Sequence, residues 1–144
     1  MNAEFKVTCY SSEGAVFTIN PAVEVNGDEI RMTIPRENLC SPRLNKIRVE
    51  TNLTRAKVGD EGYMFYPTNF GCAFVMTKFT ERKVQDYEFE SWLSATPVCG
   101  ICENENALFC RVDKEAFDAR FYVTFKNGIY SICPEFLFYG DEPD

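Results

Sequence analysis

Apolar residues take every second place in Ile30-Arg31-Met32-Thr33-Ile34, in Ile47-Arg48-Val49 and in Ala119-Arg120-Phe121-Tyr122-Val123-Thr124-Phe125. That is the period of a β-strand with one face on a core and one in water. No segment carries the 3.6-residue period of an amphipathic helix for more than about two turns. Breaks in the pattern fall where turn chemistry is strongest. The pairs Asn26-Gly27 and Asn127-Gly128 sit between strand-like runs, and Asn-Gly is favoured where both central residues of a hairpin turn need positive φ. Glu103-Asn104-Glu105-Asn106 and Ser11-Ser12-Glu13-Gly14 make two further polar breaks. Thr80 to Thr96 fits neither period and reads as a hairpin arm or a short helix, while Arg36 to Asn45, interrupted by Pro42, reads as a loop with one helical turn. About ten short strands with one-sided apolar faces need a second apolar layer, so the expected class is all-β: a two-layer antiparallel β-sandwich with little helix.

Composition narrows the class without changing it. The 144 residues are one domain in length, and 45% hydrophobic with 15% aromatic residues is enough apolar surface to offset the entropy of ordering. A single domain over residues 1–144 is expected, and the acidic stretch Gly140-Asp141-Glu142-Pro143-Asp144 reads as a solvated exit or linker stub, as in a fragment of a longer multidomain protein. No run approaches the roughly 18 apolar residues of a membrane span, and the first residues lack the features of a secretory signal. A cytoplasmic location is therefore expected, or an extracellular one for a fragment of an exported protein. A net charge of −7 with no concentrated basic stripe argues against nucleic-acid binding, which depends on Lys and Arg displacing counterions.

Candidate chemistry is sparse. Histidine is absent, which removes the usual general base of hydrolytic triads and the commonest metal ligand. The seven cysteines (Cys9, Cys40, Cys72, Cys99, Cys102, Cys110 and Cys133) are odd in number and read most simply as reduced thiols packed among apolar residues. Cys99-Gly100-Ile101-Cys102, with Cys110 and Cys133, is the one arrangement that suggests zinc or redox chemistry. Only one close pair is present, and it lies in a strand and turn context. No catalytic residue, metal or cofactor is assigned.

The stretch with most binding character is Gly59 to Phe79, a tight acidic turn, an aromatic strand and a Pro67-Thr68-Asn69-Phe70-Gly71 turn leading to a second strand. It predicts a hairpin whose Asp60, Glu61, Tyr63, Tyr66, Asn69 and Phe70 could face a polar ring-shaped ligand. Tyr63 and Phe65 are expected on opposite sides of their strand, with Asn69 and Phe70 the exposed pair. Trp92 is a further candidate platform for a sugar, or a core residue.

Asp28 to Pro35, Gly59-Asp60-Glu61-Gly62-Tyr63 with Pro67 and Gly71, Pro97-Val98-Cys99-Gly100-Ile101, and Ala107-Leu108-Phe109 together resemble the amino-terminal β-sandwich, of the galactose-mutarotase-like kind, that precedes a (β/α)8 barrel in bacterial glycoside-hydrolase-like proteins. The likeness covers roughly Gly27 to Asp141. It departs from that family's Pro-Asp-Gly-Ser-Gly turn at Pro67-Thr68-Asn69-Phe70-Gly71, and Cys99 stands where the family carries an aromatic residue. The resemblance implies a non-catalytic module that packs on a catalytic barrel domain absent from this chain and contributes to carbohydrate binding. The alternative expectation is a free-standing domain that binds a protein partner.

Overall fold

Twelve strands form among the residues that the computed structural model describes, which are 4–11, 19, 21–35, 44–67, 74–79, 87–92, 97–113 and 119–138, with 74–77 and 87–92 described by their backbone alone. They are β1 (Phe5–Ser11), β2 (Ala22–Asn26), β3 (Glu29–Thr33), β4 (Leu44–Thr51), β5 (Arg55–Lys57), β6 (Gly62–Pro67), β7 (Phe74–Lys78), β8 (Tyr87–Trp92), β9 (Val98–Glu103), β10 (Asn106–Arg111), β11 (Ala119–Lys126) and β12 (Ile129–Leu137). The helical content of the described residues is one 3-10 turn, Asn52–Thr54, whose entry is capped by Thr51 Oγ1 accepting from Leu53 N at 3.2 Å. None of their helices is long and apolar enough to cross a membrane.

Three antiparallel sheets result: a six-stranded one in the order β1-β4-β12-β11-β8 with β5 also on β12, a four-stranded one in the order β10-β9-β6-β7, and the ribbon β2-β3. The alternation read from the sequence sets the packing. Phe121, Val123 and Phe125 of β11 and Tyr130 and Ile132 of β12 point from the six-stranded sheet onto Met64 and Tyr66 of β6 and Cys99 and Ile101 of β9, forming the main core. Burying each such side chain contributes about 1.5–3 kcal/mol, so this layer supplies most of the folding drive and makes the chain an all-β sandwich. A smaller core lies under Leu44, Ile47 and Val49, where Met32 and Ile34 anchor the base of the β2-β3 ribbon.

Both Asn-Gly pairs make hairpins, by different routes. Asn127 and Gly128 are the two turn residues between paired Lys126 and Ile129, and both have positive φ (53° and 74°), as the pair predicts. Asn26 instead pairs with Glu29, so the turn is Gly27-Asp28 and only Gly27 (φ 60°) is left-handed. The centre of the ambiguous Thr80–Thr96 segment is strand β8, paired with β11; the remainder of that segment, Ser12 to Gly14, and residues 36–43 lie outside the described residues, as do Cys40 and Cys72. Pro134 sits inside β12 at no ladder cost. The strand pairs with β5 through 129–131 and with β4 through 135–137, leaving 132–134 free of either on that edge, where a missing N–H is tolerated.

A candidate ligand face on the four-stranded sheet

The acidic turn ahead of β6 is built by its own carboxylate. Asp60 Oδ2 accepts from Lys57 N at 2.6 Å, and Asp60 N donates back to the Lys57 carbonyl at 3.1 Å. Gly59 N bonds to the Phe79 carbonyl at 2.9 Å, and the Glu61 carbonyl accepts from Asn104 N at 2.6 Å, which ties the turn to both neighbouring hairpins. Gly62 then enters the sheet at φ 143°, so close to β9 that a Cβ there would lie 2.0 Å from the Cys102 carbonyl oxygen. Only glycine fits that approach. The result is an open depression of about 480 Å³ lined by Gly59, Asp60, Glu61, Gly62, Tyr63, Lys78 and Phe79.

An aromatic strip leads away from it. Tyr63 and Phe65 are two residues apart on β6 and share the outer face, since Met64 and Tyr66 between and beyond them point into the core. The expectation that Tyr63 and Phe65 divide between the two sides is thereby overturned by the period-two geometry itself. Phe65 stands opposite Gly100 of β9, and Gly100 stands opposite Phe109 of β10. The missing side chain is what lets the rings meet: a Cβ on Gly100 would lie 2.2 Å from the Phe65 ring. Phe65 and Phe109 are tilted by 55° with centroids 5.4 Å apart, a favourable edge-toward-face arrangement. Phe109 nonetheless remains 69% exposed.

Electrostatics divides the face. At Glu103, the end of β9, burial, then hydrogen bonding with and the negative charge of Asp60, push the carboxyl above the usual range, with Lys57 opposing. The Tyr63 hydroxyl is pushed up by its hydrogen bond to Cys102, then by that group's charge and by burial. Asp60 and Glu103 can accept hydrogen bonds from ligand hydroxyls beside an aromatic surface.

Of the residues proposed from the sequence, the structure brings Asp60, Glu61 and Tyr63 together at the depression. Tyr66 does not join them: it is 9% exposed and packed in the main core. Asn69 and Phe70 lie outside the described residues. Trp92 belongs to the other sheet, where its backbone stands opposite Arg120. Phe65, Phe109, Lys78 and Glu103 were missed. Gly100, a lone glycine inside the strand-like run Val98–Cys102, is the signal that could have found the first two, because such a glycine marks close approach of another group.

Cys99 and Cys102 leave opposite faces of β9, with Cys102 across from Tyr63 and Cys99 buried in the core. Among the described residues no group of three or more Cys, Asp or Glu side chains is placed to hold a metal ion. In comparisons with known proteins, the chain matches no family model, no curated protein and no solved structure.

Proposed function

We propose that this chain is a non-catalytic β-sandwich binding module whose four-stranded sheet takes a carbohydrate on its outer face. The observation that carries the reading is the pair Phe65 and Phe109, held over Gly100 with Phe109 left open to solvent, beside a depression edged by Asp60 and Glu61. Aromatic faces stack on the apolar side of a sugar ring while carboxylates accept its hydroxyl protons. In this reading the reacting carboxylates of a glycoside-hydrolase-like protein belong to a separate barrel domain, on which the sandwich packs. The pure chain then binds oligosaccharides on a glycan array, loses that binding in Phe109→Ala, and turns over no aryl-glycoside. Turnover by pure material ends the non-catalytic reading.

A protein partner is the second reading, and one feature favours it. Phe109 lies on β10, an edge strand of its sheet among the described residues, and an edge beside an exposed aromatic residue can accept a further strand from another chain. Sugar-independent capture of one protein, lost in Phe109→Ala, with no glycan bound, selects that reading instead.

A further inference from the structure

The spacing of Cys99 and Cys102 draws attention to a pairing that the fold does not make; the fold makes another. Cys99 stands directly opposite Cys110 across the β9-β10 ladder. Both side chains point toward the main core, so the two thiols face the same side of the ladder at directly opposed positions. Directly opposed residues of an antiparallel pair lie about 4.5–5.5 Å apart at Cα, inside the window of roughly 4.4–6.8 Å that a disulfide spans. The register therefore places the pair at a separation that a disulfide can bridge. Cys110 is partly exposed on an edge strand, whereas Cys99 is buried. Cys133, the other buried thiol, is lifted to about 12 chiefly by burial and donates to the Tyr122 carbonyl at 3.8 Å. It is therefore a poor competitor.

We propose that Cys99 and Cys110 form a thiol–disulfide exchange site, closed into a cross-strand disulfide by a low-molecular-weight disulfide. The roles follow from the register and from the difference in exposure. Hydrogen bonding with Cys99 holds the Cys110 thiol below its usual range against the effect of burial, while Cys99 is pushed well up by burial and then by the same interaction. Cys110 gives its proton to water and, as a thiolate, attacks one sulfur of the small disulfide, whose S–S bond breaks; one small thiolate leaves and takes a proton from water. Cys99 then releases its proton to water and attacks the Cys110 sulfur, expelling the second small thiolate, which is protonated in turn. The two protein thiols lose two electrons and two protons, and the small disulfide is reduced to two thiols. The product ties the edge strand to its neighbour one residue from Gly100 and Phe109. It does not depend on what that face binds.

The test is incubation of the full chain with mixtures of oxidised and reduced glutathione, followed by intact mass and peptide mapping. Expected is a mass loss of two hydrogens with Cys99 linked to Cys110. The link persists in Cys102→Ser and is absent in Cys110→Ser, and Cys99→Ser stops at a mixed disulfide on Cys110. A first link to any other cysteine, loss of the link in Cys102→Ser, or no link under conditions that oxidise the urea-unfolded chain would overturn the proposal. Should Cys99→Ser fail to fold, the wild-type map and Cys102→Ser decide alone.

Discussion

On the outer face of the six-stranded sheet a carboxylate is buried beneath cations and rings; on the outer face of the four-stranded sheet a ring stands in water beside carboxylates. Glu135 of β12 is 0% exposed. It accepts from Arg48 Nε at 2.8 Å and Nη2 at 2.6 Å on one oxygen, and from Arg120 Nε at 2.7 Å on the other, with Lys46 Nζ at 3.4 Å. The Arg48 guanidinium lies 3.3 Å from the Tyr122 ring centre, and Lys46 lies 4.8 Å from that of Tyr10. Arg48, Glu135 and Arg120 are register partners across β4, β12 and β11, so the cluster forms only when three strands align. A slip of one residue would turn these side chains toward the apolar core. That face specifies the fold. The aromatic strip specifies nothing comparable, since Phe109 contributes little burial, and an exposed ring that does not stabilise its own chain is available to a ligand.

Glu135→Gln is the largest test of this contrast. It leaves two buried guanidinium groups without their counter-charge, and loss of one partner of a buried pair costs about 3–5 kcal/mol. Urea unfolding should show a loss of that size with an unchanged slope. The triple variant Arg48→Met, Arg120→Met, Glu135→Leu, which removes the charges together, is expected to recover most of it. Failure to recover would mean that the cluster stabilises by attraction as well as by specifying register.

Acid separates the two faces by sign. Burial alone would raise Glu135, but the hydrogen bonds from Arg120 and Arg48 and the charges of Arg48 and Lys46 outweigh it, and its carboxyl is held below the ordinary range. Its contribution is therefore present above the unfolded value of about 4.3 and is lost as pH falls through the lower folded value. Glu103 is shifted the other way, so the fold favours its protonated form and gains from it as pH falls through the raised folded value. Stability measured against pH should lose its steepest acid limb in Glu135→Gln and keep it in Glu103→Gln. Retention of that limb in Glu135→Gln would mean that another carboxylate drives acid unfolding.

Gly100→Ala acts on the opposite face and more weakly. The new methyl group meets the Phe65 ring at 2.2 Å and the Leu108 carbonyl oxygen at 2.9 Å, an overpacking that costs about 1–3 kcal/mol. The Phe65 ring must give way, which disturbs its contact with Phe109. Near-ultraviolet circular dichroism should report the change, and unaltered aromatic signals in a stable variant would contradict this account of the strip.

How much of this was written in the sequence differs between the faces for a physical reason. Alternation in Ala119–Phe125 and Ile47–Val49 identifies core-facing positions locally, and the observed core follows it. The same alternation assigns Arg48 and Arg120 to water, and there it fails: Arg48 is 12% exposed because a residue 87 positions away lies opposite it. Register between distant strands is not a local property. Glu135 is further obscured by Pro134, which makes its strand look broken until the gap between β4 and β5 is known. The depression is a local turn, so Asp60, Glu61 and Tyr63 could be named from Gly59–Tyr63, whereas Phe109 needed the pairing of β9 with β10.

Phe109→Ala should be the mildest change to the fold and the sharpest to function. Truncating a side chain already 69% exposed alters stability by no more than about 0.5 kcal/mol, plus part of the about 0.5–1.5 kcal/mol of an aromatic pair. Ligand binding, by contrast, should weaken about tenfold or more, which is about 1.4 kcal/mol of affinity, because the exposed ring supplies the stacking surface. Calorimetric titration of the wild type and Phe109→Ala against whichever oligosaccharide the array selects separates the two effects, with Glu135→Gln as the inverse control at a temperature where it remains folded. A destabilised Glu135→Gln that binds normally, beside a stable Phe109→Ala that does not, would divide the faces into one that holds the structure and one that uses it. Equal losses of binding in both would mean that the faces are coupled through the sandwich.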